Sequence, residues 1–371
     1  MANLYNKAGL VNIPIGYSDG FLYNIKPVDD TLAFRFDRAS SATRVNEQGL
    51  IKTVATDEPR IDYTDSLTSP SFLLEPQSTN LIPYSEGYSQ WGTVNGAVVT
   101  DNFTTSPDGT QNAAKVVYDG TSLGRIEINT GASGTNTQSI YLKTVSGTQV
   151  VSIGASSSDL TEVTVTNEWK RFTHTGSGSY PRVLCNDAAT IYAWGAHLEQ
   201  GSYATSYIPT GGSTATRIAE TCNGAGSAST FNDSEGVLYA EVKRFDNDTG
   251  FGAISIGDGT GNNQVVFKFR NTTNIVWAII KSGGVNQAVM QYTASDLTVF
   301  NKLAIKYKAN DFALWFNGVQ VLTDTSGIVA TGLNTLALQD DNGSEQFRGN
   351  VKCVAVFKEA LTDAELQQLT S

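Results

Sequence analysis

The chain has 371 residues, enough for two or three domains with well-buried cores. Hydrophobic residues make up 40% of it and charged residues only 16%, with 35 glycines and 10% aromatics, which excludes a disordered chain and suits β-domains rich in turns. Acids outnumber bases 36 to 25 for a net charge of −11, and no run of Lys or Arg offsets it, so a nucleic-acid partner is excluded and the acidic surface reads as a solubility feature.

The first residues, MANLYNKAGL, lack a charged segment followed by an apolar core, so no secretory leader is expected. Residues 1–80 show weak periodicity and read as an irregular N-terminal attachment region. It contains SSATRV at 40–45, whose near-copy STATRI stands at 213–218. Both place a Thr-Arg pair, with Arg44 and Arg217, between small hydroxyl residues and a β-branched one. The match stops after six residues, so the two read as similar structural solutions at module junctions, with coincidence or a ligand contact as alternatives. An Arg there can fork onto carboxylates or carbonyls, and Asp37, Asp62, Glu75 and Glu220 are the neighbouring acids.

From 81 to 210 the pattern is alternating: QSIYLKTV (138–145), EVTVT (162–166) and IYAWGAHLE (191–199) each read as strands. In the last, Tyr192, Trp194, Ala196 and Leu198 fall on one face, which makes Trp194 a core residue. Trp91 follows the polar GYSQ and precedes Gly92, a loop-like context that makes it the leading exposed aromatic. The Gly-, Ser- and Thr-rich residues 211–229 read as a linker.

Strands resume at 230–371 with GVLYAEVK (236–243), VVFKFR (265–270), LAIKYK (303–308), FALWFNGVQVL (312–322) and VKCVAVF (351–357). Asn317-Gly318 marks a tight hairpin, because both central residues of a type I′ turn need positive φ. Trp315 has opposite parity to Phe312, Leu314 and Phe316, so it caps the other face or is exposed. Trp277 lies in IVWAII (275–280), the longest apolar run, which is far too short to span a membrane. LTDAELQQL (361–369) reads as a closing helix: Thr362 and Glu365 form a capping box, and Leu361, Leu366 and Leu369 can pack back on a sheet. The fold class is therefore all-β, with two β-sandwich or jelly-roll domains behind the N-terminal region and one short C-terminal helix.

Cys185, Cys222 and Cys353 are far apart and odd in number, and with only His174 and His197 no zinc constellation exists. Free thiols and assembly in a reducing cytosol follow. The turn loops DGTGNN, with Asp258, and DDNGS, with Asp340 and Asp341, are rich in oxygen donors. No cofactor is required by these residues, and calcium is the one they admit, against the plain reading as turn residues. Glycan hydrolysis needs two carboxylates about 5–5.5 or 6.5–9.5 Å apart. Glu235, Glu241 and Asp246 do not fit such a spacing on one strand face, and no Gly-x-Ser-x-Gly is present, so no enzyme is expected.

Three stretches carry family resemblances. "NLIPYSEGYSQW", "SPDGTQNAAKV", "QSIYLKTVSGT", "EWKRFTHT" and "IYAWGAHLEQGSYATSYIPT" resemble, in that order, the carbohydrate-binding-module jelly rolls of bacteriophage structural proteins. "GVLYAEVK", "LAIKYKANDFALWFNGVQV" and "FRGNVKCVAVFKEALTDAELQQL" resemble the concanavalin A-like, laminin-G-like sandwich. "LAFRFDRASSATRVNEQGLIKTVATDEPRIDY" and "SFLLEPQSTNLIPYSE" look like a module of phage fibre and decoration proteins. The resemblance implies a virion protein of a tailed bacteriophage, a head fibre, decoration protein or tail fibre. Its N-terminal region would hold other capsid or tail proteins, the chain would form a homo-oligomer, and its sandwiches would bind surface glycans. Trp91, Trp277 and Trp315 are the candidate sugar contacts. A purely structural capsid or tail cement, or a glycan depolymerase, are the alternatives.

Overall fold

The computed structural model describes residues 4–27, 32–246 and 250–371. The protein is all-β, and among the described residues Asp363–Thr370 is the one α-helix. No helix among them is long and apolar enough to cross a membrane. The chain folds into two compact units, one made of 1–39, 56–76 and 220–371, the other of 40–55 and 77–219.

The first unit is a sandwich. An eight-stranded sheet runs Val319–Asp324, Phe312–Phe316, Asn301–Lys308, Glu235–Lys243, Gly349–Phe357, Ser71–Leu74 and Arg60–Asp62, with Ala8–Asn12 also paired to Gly349–Phe357. A five-stranded sheet runs Val285–Thr293, Ile275–Ser282, Gln264–Phe269, Gly252–Gly257 and Thr335–Ala337. Alternate residues of both meet in one core: Leu238, Ile305 and Leu314 from the first, Ile254, Phe267 and Val276 from the second. Full burial of each such side chain contributes about 1.5–3 kcal/mol.

The other face of the large sheet is covered by the closing helix. Leu361, Leu366 and Leu369 pack with Val237, Tyr239, Ala313 and Trp315. The capping box forms as its residues require: the Thr362 hydroxyl accepts from the Glu365 N–H, and Glu365 Oε2 accepts from the Thr362 N–H at 2.9 Å. Asn317 and Gly318 turn the hairpin with φ of 46° and 81°.

The second unit is also a sandwich. One five-stranded sheet is Ala97–Thr104, Ala113–Asp119, Ala188–Gln200, Thr135–Thr144 and Lys170–Ser177; the other is Gly92–Val94, Gly124–Glu127, Arg182–Cys185, Thr148–Gly154 and Thr161–Thr166. Val116, Ile140 and Ile191 face Ile126, Ile153 and Val183 across the core.

The division differs from boundaries at 80 and 211–229. Residues 1–80 are not a separate region, because Ala8–Asn12 and Ser71–Leu74 hydrogen-bond onto Gly349–Phe357, and Leu10, Phe72 and Leu74 fill the first unit's core. The apolar strand Gly349–Phe357 needs partners along both edges, and these early segments supply them on one side. Within 211–229, Ala215–Arg217 pairs with Ser78–Asn80 and Thr221–Asn223 with Phe34–Asp37, so this stretch is ladder as well as loop. The three cysteines are buried and free.

Candidate functional site

Trp91 is not an exposed platform. The GYSQ segment forms a 3₁₀ turn over Tyr88–Gln90, and its three-residue period sets Tyr88 and Trp91 on one side. Their rings lie 5.0 Å apart, Trp91 is 4% exposed, and its Nε1 donates to the Tyr84 carbonyl at 2.9 Å. Trp315 points away from the Phe312, Leu314 and Phe316 row, as its parity requires, but the C-terminal helix covers it. Neither ring offers a face to a ligand.

Trp277 does. It lies on Ile275–Ser282, facing away from the sandwich core, half-buried against Ala253, Val266 and Ile279. Its cross-strand neighbours are Lys268 and Gln291. The Arg270 guanidinium lies 4.5 Å from the centroid of Trp277 and 4.5 Å from that of Phe251, which is itself 42% exposed. The Trp277 Nε1 meets no acceptor among the described residues. Lys268 is held by Asp340 and Glu345, each at 3.0 Å. The sheet face thus offers an indole, a cation, an amide and a shallow apolar strip ending at Val289, which is 46% exposed. Arg270 stacks on the indole, so a polar ligand at this surface would meet the guanidinium and the Gln291 amide together with the edge of the ring.

The three aspartates considered for calcium accept from the chain's own donors. Asp258 accepts from Thr260 N–H at 2.9 Å and Asn263 Nδ2 at 2.7 Å, Asp341 from Gly259 and Gly261 N–H at 3.0 and 2.8 Å, and Asp340 pairs with Lys268. Burial pushes the Asp341 carboxyl up from the ordinary carboxylate value, while hydrogen bonds from Asn263 and Thr260 outweigh burial and hold Asp258 down. No group of three or more His, Cys, Asp or Glu able to hold a metal ion forms among the described residues.

Arg44 and Arg217 stand on short two-stranded ribbons, Ala42–Val45 with Ile51–Val54 and Ala215–Arg217 with Ser78–Asn80. The two near-copies touch: the Ile218 N–H donates to the Ser40 hydroxyl at 3.0 Å, close to where the chain enters and leaves the second unit. Arg217 is buried and bonds Thr205 Oγ1 at 3.2 Å and Ser206 Oγ at 3.1 Å. Of the acids considered as partners, Glu75 and Glu220 hold Arg60, and Glu220 also holds Arg38.

Trp194 is buried, but on the face opposite the one its parity indicates. Ile191 and Ala193 face the core; then Gly195, at φ 63°, forms a bulge opposite Ser139–Tyr141, after which Ala196 and Leu198 return to the core. Trp194 therefore packs outside the sandwich with Ile51, Ala113 and Tyr207. Gly195 inside an alternating run was the available signal for such a bulge.

Residues 225–367, less than half of the chain, match the Laminin_G_3 family model, described as the concanavalin A-like lectin/glucanases superfamily. No curated protein matches the chain by sequence. Among solved structures, the chain is similar to the CBM40 of a Ruminococcus gnavus IT-sialidase bound to alpha2,3 sialyllactose, at 19% identity, covering 40% of this chain and 94% of that one, with a TM-score of 0.34. It is similar to domain 4 of the extracellular arabinanase AbnA from Geobacillus stearothermophilus, at 14% identity over 46% of this chain and 81% of that one, with a TM-score of 0.33. It is also similar to the LG4-5 domains of the mouse laminin alpha1 chain, at 10% identity over 72% of this chain and 91% of that one, with a TM-score of 0.28. Within the chain, Trp277, Arg270 and Phe251 all lie inside the matched laminin-G-like stretch.

Proposed function

We propose that the chain is a non-catalytic, glycan-binding structural protein of a tailed-bacteriophage virion, a head fibre, decoration protein or tail fibre that adheres to glycans of the host or its surroundings. The observation that carries the glycan reading is the Trp277 surface, an aromatic ring with Arg270 and Gln291 beside it, inside residues that match a lectin and glucanase family model. The virion placement rests on the resemblance of the N-terminal stretch and of the module order. A shallow site of this kind binds weakly alone, and repetition on a particle gains about 10²–10⁴ in avidity; a homo-oligomer anchored to other virion proteins supplies that repetition.

The test is a glycan-array and host-cell binding assay on the chain, free and multimerised on beads, with and without calcium. Saturable binding by the multimer, competed by free sugar and lost in Trp277→Ala, supports the reading. A second reading, a cement protein whose sandwiches serve by shape alone, is favoured by the burial of Trp91 and Trp315. Absence of binding to any glycan or cell would establish it in place of the first.

A further inference from the structure

Lys268, Asp340 and Glu345 meet on the outer face of the five-stranded sheet, wholly within the first unit. Lys268 stands on the middle strand, Gln264–Phe269, paired with Ala253 on one side and Trp277 on the other. It shares a face with Val266, two residues before it, so its stem rises beside the apolar cluster of Ala253, Val266, Ile279 and Trp277. Asp340 and Glu345 come from the loop after Thr335–Ala337. That loop is fixed by its own backbone: the Asp340 N–H donates to the Ser344 carbonyl at 2.9 Å, the Gly343 N–H to the Asp340 carbonyl at 2.8 Å, and Gln346 bridges to Ala253 on the sheet. The Lys268 Nζ thereby lies 3.0 Å from Asp340 Oδ2 and 3.0 Å from Glu345 Oε2.

The chain's other lysine pairs are more open. Among the described residues, each of them keeps one side chain 33% exposed or more. Here the Lys268 and Asp340 side chains are 16% and 5% exposed, and a second carboxylate, Glu345, touches the same nitrogen. Asp340 Oδ1 is buried and meets no donor among the described residues. A carboxylate with one oxygen unsatisfied and little access to water is costly to keep charged. Condensation with the amine removes both charges and leaves one neutral carbonyl in that place, a smaller cost.

We propose that Lys268 and Asp340 join in an intramolecular isopeptide bond, with Glu345 as the proton carrier. The Lys268 ammonium gives one proton to Glu345 Oε2, and the freed nitrogen lone pair attacks Asp340 Cγ. A Cγ–O bond then breaks. The departing oxygen takes back the proton held by Glu345 and a second from the nitrogen, and leaves as water. One ammonium and one carboxylate become one amide and one water, with no net proton and no other reactant. Between free partners water opposes this condensation; groups held in contact on rigid elements gain an effective concentration of about 10⁵–10⁸ M. The bond clips the 338–347 loop covalently to the sheet.

The test is the intact mass of the full chain, followed by peptide mapping after digestion. The parent chain is expected to be lighter than its sequence by one water and to yield a branched peptide joining the segments of Lys268 and Asp340. Lys268→Arg, which keeps an ion pair but not a condensable amine, should show the full mass, and so should Asp340→Ala. Glu345→Gln should come out largely unlinked. A parent chain at full mass after prolonged incubation would overturn the bond. A succinimide at an Asp-Gly step such as Asp258-Gly259 gives the same deficit without a branched peptide, and that result, or a deficit that survives in Lys268→Arg, would overturn it equally. Complete linkage in Glu345→Gln would remove Glu345 from the step.

Discussion

Arg60 and Glu220, 160 residues apart, form a forked ion pair in which Arg60 Nε donates to Oε1 at 2.8 Å and Nη2 to Oε2. Neither side chain has exposed surface. Arg60 Nη1 reaches Glu75 Oε2 at 2.6 Å, Arg38 Nη1 reaches Glu220 Oε1 at 2.8 Å, and the Glu75 N–H donates to Glu220 Oε2 at 2.8 Å. Arg348 adds a bond to the Glu220 carbonyl. The cluster ties three separated stretches of the first unit together. Arg60→Ala leaves buried carboxylates short of a partner and should cost about 3–5 kcal/mol in urea unfolding. Arg60→Lys should recover only part of this, because one ammonium cannot reproduce the fork. A loss below about 1 kcal/mol for Arg60→Ala would contradict the assignment.

The tryptophans separate packing from binding. Trp91→Ala and Trp315→Ala should each cost about 3–5 kcal/mol, the first by emptying the core beside Tyr88, the second by removing the seat of Leu366 and Leu369. Trp277→Ala loses a half-buried ring and a cation–π contact and should cost about 1–2 kcal/mol. Thermal melts of the three variants check the order; a Trp277→Ala loss as large as the others would make that ring core.

What was legible in the residues was local. Asn317-Gly318 and the Thr362–Glu365 box are each set within a few residues, and both form as read. The parity of Trp315 was legible too, but its cover comes from a helix some fifty residues later, so exposure could not be read from the strand. Trp91 was hidden because a polar tetrapeptide can be a 3₁₀ turn that buries every third residue. Trp194 changed face because one glycine shifted the register. Early segments such as Ser71–Leu74 are too short to show a period, and only their pairing with Gly349–Phe357 makes them part of the sheet.

Calcium at the Asp258, Asp340 and Asp341 loops would have to displace Lys268 and the Gly259 and Gly261 amides from carboxylates that already accept from them. Calcium sites want six to eight oxygens free to converge. Millimolar calcium should therefore leave the melting temperature unchanged, and calorimetric titration should show no binding heat. A calcium-dependent rise abolished by Asp341→Asn would place a site there after all.

Lys7 and Glu365 join the N-terminal segment to the closing helix at 2.7 Å. The Lys7 ammonium, with the Thr362 N–H and hydroxyl, holds the Glu365 carboxyl down at about 2, against an ordinary value of 4.5. A carboxyl whose folded value is depressed stabilises fully above its unfolded value, and that contribution drains as pH falls through the folded one. Lys7 stays charged across this range, since its own value is raised by hydrogen bonds to Glu365 and Glu359. The melting temperature of the parent chain should therefore exceed that of Glu365→Gln by a constant margin above about pH 5, and the margin should close between about pH 4.5 and pH 2. Calorimetric scans of the two chains across that range provide the check. A margin that persists below the folded value would mean that Glu365 acts through packing or its cap geometry and not through its charge.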